Sequence, residues 1–98
     1  MPSIRFEWDE AKNRSNLVKH GIGFAEAMDV FDDPLRLTKF DRIENGEVRW
    51  QTIGSIGMFR IILIAHMFFD DDDNEVVRLI SARSVTRKER REYENENG

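Results

Sequence analysis

The chain contains no cysteine. Disulfide staples and cysteine-based zinc sites are therefore excluded, and a reducing compartment is permitted. It has two histidines, two prolines and one tyrosine, so few side chains are suited to proton transfer near neutral pH. It also lacks long apolar runs. The longest, Ile61–Ala65, falls far short of the ~20 residues that cross a bilayer. The opening MPSIRFEWDE has no apolar h-region of a signal peptide. A soluble, cytoplasmic protein without a membrane segment is expected.

Several chemical motifs are missing as well. There is no H-E-x-x-H, no phosphate-cradling G-x-x-x-x-G-K-[ST] and no dinucleotide fingerprint. The run Ile53-Gly54-Ser55-Ile56-Gly57 misses a G-x-S-x-G elbow at its first position. Residues 70–74 begin like a calcium loop, but Glu75 stands where glycine is required and Ser81 where the bidentate glutamate belongs. Neither a metal nor a cofactor is expected. Catalysis would fall to Arg, Lys, His, Tyr and carboxylates.

What is present is charge, 35% of 98 residues, and a hydrophobic fraction of 40%. The second figure suits one small folded domain rather than a disordered chain. A domain of this size hides about 65% of its unfolded surface, which allows a thin core. The net charge is −4, from 15 basic and 19 acidic residues. Asp70, Asp71, Asp72, Asp73 and Glu75 concentrate five of the acids. By contrast, residues 83–93 hold Arg83, Arg87, Lys88, Arg90 and Arg91 against Glu89 and Glu92, a local charge of +3. Such a patch binds a polyanion whatever the overall sign.

Periodicity supplies the element order. Residues 4–8 alternate as a short strand. Asp9 reads as the N-cap of a helix over 10–20, with Lys19 and His20 in its last turn and Gly21 at C′. Phe24, Ala27, Met28 and Phe31 make one stripe of a second helix, which Pro34 stops. Residues 35–40 alternate again, Asn45-Gly46 signals a hairpin, and 47–56 form the next strand. The most apolar segment, 58–69, reads as a central strand covered on both faces. The Asp run and Asn74 turn into a last strand, 75–83. Thr86 and Glu89 form a capping box that opens a final helix of about nine residues. The tail from about 95 is expected to fray. The result is α+β, β-α-α-β-β-β-β-α, with a mainly antiparallel sheet and the first two helices on one face.

The last helix has almost no apolar stripe. Its arginines suit bidentate phosphate binding, and Tyr93 suits base stacking or proton donation. If the odd residues of 58–69 turn to the helices, Arg60 and His66 share the opposite, open face. His20 is most simply a helix C-terminal residue. Phe40, Trp50, Phe68 and Phe69 exceed what a thin core must absorb, and they suit an apolar patch for a partner.

Several stretches together resemble the BrnT family. They are Phe6-Glu7-Trp8-Asp9, Asn16 through Lys19-His20-Gly21, Phe24 with Glu26-Ala27, Val30-Phe31-Asp32-Asp33-Pro34, Ile80-Ser81-Ala82-Arg83, and Glu89-Arg90-Arg91 with Tyr93. Their order spans nearly the whole chain, as one domain over 1–98. The resemblance implies a RelE-like fold and a ribonuclease toxin of a bacterial type II toxin–antitoxin pair that blocks translation. It implies a BrnA-like, DNA-binding antitoxin as partner, with operator DNA reached only through the complex, which represses its own operon. It also implies an endoribonuclease site without metal, in which the ribose 2′-OH attacks phosphorus. The expected catalytic set is Arg60, Arg83 and Arg87 for phosphate charge, with His66 and Tyr93 for proton transfer. Lys19 and His20, of the K-H-G motif, join Arg49, Arg78, Arg90 and Arg91 as expected RNA contacts. A four-Asp turn is no part of that pattern.

Two other readings stand beside this one. The same domain without turnover would serve as a pure binding partner of a DNA-binding antitoxin. Direct DNA binding is disfavoured, because the last helix is short and has no helix-turn-helix companion.

Overall fold

The computed structural model describes residues 3–97. Strand β1 (Ser3–Glu7) leads into helix α1 (Glu10–His20) and a short helix α2 (Phe24–Ala27). Helix α2 tightens into a 3-10 turn over Met28–Asp32. Strands β2 (Leu37–Glu44), β3 (Glu47–Ile56), β4 (Arg60–Asp71) and β5 (Asn74–Ser84) follow, then helix α3 (Arg87–Asn97). The element order is the one that periodicity predicts. The five strands form one sheet in the order β1-β5-β4-β3-β2, parallel only where β1 meets β5.

The local causes are those read from sequence. Asp9 Oδ1 accepts from the N–H of Ala11 at 2.8 Å and of Lys12 at 3.3 Å, and Gly21 closes α1 at φ 71°. Asn45 and Gly46 both take positive φ, as a tight hairpin on twisted strands demands. The Thr86–Glu89 capping box is formed in both directions, at 2.8 and 3.2 Å.

Three expectations need correction. First, the residues of β4 that face α1 and α2 are the even ones. Ile62 and Ile64 pack with Ile22, Phe24, Ala27, Val30, Ile56, Val77, Leu79 and Ala82 in the main core. The odd residue Leu63 instead joins Ile53 and Tyr93 in a smaller cluster under α3. Both parities are apolar here, so alternation alone could not choose the face. Second, α3 has eleven residues rather than about nine and runs to Asn97, while Gly98 lies outside the described residues. Third, β4 extends through Asp70 and Asp71, so only Asp72 and Asp73 form the turn.

Gly54 explains how the 3-10 turn approaches the sheet. A Cβ there would stand 2.7 Å from Val30 Cγ1, closer than any packed carbon tolerates, so any larger residue pushes the turn away.

The parallel pairing of β1 ends at Arg78, and the rest of β5 has no strand on that side. Asn16 of α1 takes the strand's place. Its Nδ2 donates to the carbonyls of Ala82 (2.8 Å) and Ile22 (2.9 Å), and its Oδ1 accepts from the Ala82 N–H at 3.1 Å. Replacing Asn16 with Ala orphans a buried N–H and two carbonyls. The expected loss is about 2–3 kcal/mol, read in thermal melts as a fall of roughly 10–20 °C. A melt unchanged from wild type would show that Asn16 does not hold this edge.

Candidate functional site

Where α1 stands in for a strand it leaves a cleft of about 260 Å³ beside β5. The lining is Lys12, Ser15, Asn16, Lys19 and His20 from α1, with Ile80 and Ser81 from β5. Lys12, Ser15 and Lys19 fall at i, i+3 and i+7, one face of the helix. Ile80 is the extra residue at a bulge in β5, where the pairing with β4 shifts between Ala65 and His66. A bulge re-aims neighbouring side chains and is common beside sites. Among the described residues, the side chains of Lys12, Lys19 and His20 have no ion-pair or hydrogen-bond partner. The cleft therefore presents two ammonium groups, an imidazole and two hydroxyls with no carboxylate bound to them. It is just smaller than the pockets of about 300–1,000 Å³ that hold drug-sized ligands, and it suits a phosphate with its sugar.

Most other cations of the strands are already paired. Arg78 meets Glu7 at 3.3 Å, Arg5 meets Asp71 at 2.9 Å, and Lys39 meets Glu92 at 2.7 Å. Arg49 Nε lies 3.7 Å from Glu44, without a hydrogen bond. Arg83 shares the α3 face with Ser81, two positions along β5, since their partners Leu63 and Ala65 share it. Its guanidinium grips Glu89 through both oxygens, at 2.7 and 2.9 Å. That fork, with the Thr86 N–H, drives the Glu89 carboxyl down to about 2. Arg83 thus ties the start of α3 to β5. Arg87, Arg90 and Arg91 of α3 are exposed and unpaired.

Three expected catalytic residues lie away from this cleft. His66 points to the helix-covered face and has 0% exposure. It is enclosed by Phe31 (5.2 Å) and Phe68 (4.8 Å), with Nε2 2.7 Å from the Thr52 hydroxyl. Burial pushes its pKa down to about 4, and the Met67 backbone only partly opposes that shift. Tyr93 is also buried. Its hydroxyl donates to Asp33 Oδ2 at 2.6 Å, and the same oxygen accepts from the Ser55 N–H at 2.8 Å. Burial, then this bond, raises the Tyr93 phenol to about 12. Burial would raise Asp33, but the bonds from Tyr93, Ser55 and Leu35 outweigh it and hold the carboxyl below its usual range. Arg60 sits beside Glu26 at 3.4 Å, on the opposite side of the sheet from Arg83. The expected open face shared by Arg60 and His66 does not exist, because α1, α2 and the 3-10 turn cover β4 at Ile62, Ile64 and His66 and leave only Arg60 exposed at the strand's start.

Residues 8–89 match the profile of the family described as "Ribonuclease toxin, BrnT, of type II toxin-antitoxin system". The chain belongs to the BrnT family. The crystal structure of the Brucella abortus ribonuclease toxin BrnT is similar to it, at 25% identity and a TM-score of 0.59, over 89% of this chain and all of that one. No curated protein matches the sequence. This BrnT-family chain has an antitoxin as its partner class, and no described helix is long and apolar enough to cross a membrane. No group of three or more His, Asp or Glu among the described residues is arranged to hold a metal ion.

Sequence reasoning named Lys19 and His20 but missed Lys12, Ser15 and Ser81. The signal was the polar i, i+3, i+7 stripe on α1. It was hidden because a charged helix face ordinarily means solvent.

Two predictions test these placements. The depressed pKa of His66 means that its contribution to stability is full above about 6.5 and is lost as pH falls through about 4. The swing is on the order of 3 kcal/mol. His66→Leu is expected to flatten the pH dependence of the melting temperature across that window, and an unchanged profile would refute the burial account. Tyr93→Phe is expected to lower stability by about 1–2 kcal/mol in urea titration, with RNA cleavage per folded molecule retained. Full stability with cleavage abolished would return Tyr93 to the chemistry.

Proposed function

We propose that this chain is a metal-independent endoribonuclease that blocks translation in the cytoplasm. RNA phosphate enters the α1–β5 cleft, and the antitoxin complex represses its operon by binding operator DNA. The observation that carries the reading is the cleft's set of cations without carboxylate partners, in a chain whose strand cations are otherwise mostly neutralised.

The chemistry follows from the side chains present. A base takes the proton of the ribose 2′-OH, whose oxygen attacks the adjacent phosphorus. The bond from phosphorus to the 5′-oxygen breaks, and that oxygen takes a proton. The products are a 2′,3′-cyclic phosphate and a 5′-hydroxyl. His20 is the imidazole that solvent reaches, so it handles one of these protons. Lys12 and Lys19 stabilise the charge that builds on the phosphate oxygens. Ser15 and Ser81 orient the ribose and phosphate by hydrogen bonds. Arg87, Arg90 and Arg91 extend the positive surface along α3 for flanking phosphates. Arg83 serves by holding α3 in place.

The test is cleavage of a structured RNA in EDTA, with and without ribosomes. Wild type is expected to leave cyclic or 3′-phosphate ends. His20→Ala and Lys19→Ala are expected to lose about 10²-fold or more in rate, the ordinary worth of a positioned proton-transfer or charge-stabilising group, with melting temperatures little changed. Wild-type rates in both variants would move the site elsewhere. Wild-type protein that never cuts, even on ribosomes, would leave a toxin-family fold acting as a binding partner only.

A further inference from the structure

The helical layer covers only part of its face of the sheet. Beyond Phe31 the even residues of β3 and β4 continue without a cover. Phe40, Ile43, Val48, Trp50 and Phe68 share this face by register and by stacked rings. Phe40 is 56% exposed, Ile43 64% and Val48 41%. Contiguous exposure of such side chains marks an interaction site rather than ordinary surface. At the same end of the face, Asp70 stands opposite Glu75, and Asp72 lies in the adjoining turn. The apolar surface therefore has an acidic rim.

From this pairing we infer that the patch is the docking face for an amphipathic helix of the antitoxin. The helix would have an apolar stripe bordered by Lys or Arg. A helix fits because α1, α2 and the 3-10 turn already cover the other part of the same face, and one more helix completes the layer. Strand addition at the free edge is disfavoured by the edge itself. Strand β2 carries a bulge between Phe40 and Arg42, and its Lys39, Asp41 and Arg42 are charged, features that blunt edges against pairing. The acidic rim selects a basic border and turns polyanions away. The inference rests on the toxin–antitoxin reading only for the class of partner.

Binding of the purified chain to its full-length cognate antitoxin, by calorimetry, tests it. Phe40→Ser/Ile43→Ser, at exposed positions, is expected to weaken binding about 30-fold or more. Asp70→Lys/Glu75→Lys leaves the apolar side chains intact and is expected to weaken it about 5-fold or more at low salt. Both variants should melt within a few degrees of wild type and cut RNA at the wild-type rate. Affinities within twofold of wild type for both would overturn the inference, as would a wild-type chain that does not bind the antitoxin. It would also fall if light scattering showed a homodimer that Phe40→Ser/Ile43→Ser dissociates without changing antitoxin affinity. Failure of the ribonuclease reading is scored separately, since the binding assay involves no RNA.

Discussion

Strand β5 has eleven residues, and β1 pairs with only the first five of them. That shortfall leaves backbone donors and acceptors open at the edge, which a buried position cannot tolerate. Asn16 resolves it by presenting an amide that mimics a neighbouring strand at Ala82, while its second Nδ2 bond reaches the Ile22 carbonyl and fixes the exit of α1. A helix is wider than a strand, so one paired position cannot close the whole edge. The cleft between α1 and β5 is what remains open. Its cations come from the same helix face as Asn16, so the residue that seals the core also sets where Lys12, Lys19 and His20 stand.

Much of this was legible in the chain. Asp9, Gly21, Asn45-Gly46 and the Thr86–Glu89 box are local devices, and each acts through a few neighbouring backbone groups whatever the tertiary setting. The sidedness of β4 was not legible. Ile61 to Ala65 is apolar at every position, and the choice of face depends on where α1 and α2 land. That choice decides whether His66 is an accessible acid or a neutral core imidazole beneath Phe31. Tyr93 is a similar case. A tyrosine among arginines reads as a functional group, but its partner is Asp33, sixty residues away in sequence. The spacing of Lys12, Ser15 and Lys19 was visible, and only the incomplete edge of β5 gives it meaning.

Pairing separates the cations into two kinds. Arg83 with Glu89, Lys39 with Glu92 and Arg78 with Glu7 lie where a strand or helix needs anchoring, and there the carboxylate neutralises what it holds. The contribution of such half-exposed pairs to stability is modest, but they fix α3 across the sheet through Arg83 at its start and Glu92 near its middle. Among the described residues, the cations without an ion pair include Lys12, Lys19 and His20 on α1 at the cleft and Arg87, Arg90 and Arg91 on α3, with Arg14 and Arg36 elsewhere on the surface. A polyanion gains most where no internal carboxylate must be displaced, because the free protein has left those charges uncompensated.

The acidic segment then has a physical role that fits the same division. Asp70 to Asp73 occupy the end of the β4–β5 hairpin, five or more residues along the strands from the Ala65–Ser81 pair, roughly 17 Å or more at the rise of an extended chain. At that distance and at physiological salt its charge is largely screened from the cleft, since the Debye length is about 8 Å. Locally it is not screened, and it borders the exposed aromatic face directly. Across the sheet, β2 and β5 are three strand spacings apart, about 14 Å. A helix seated on the patch therefore leaves the cleft uncovered. With the antitoxin docked there as proposed and RNA bound at the proposed cleft, neutralisation would need either a further antitoxin segment reaching the edge of β5 or bulk that keeps a large RNA assembly from approaching it.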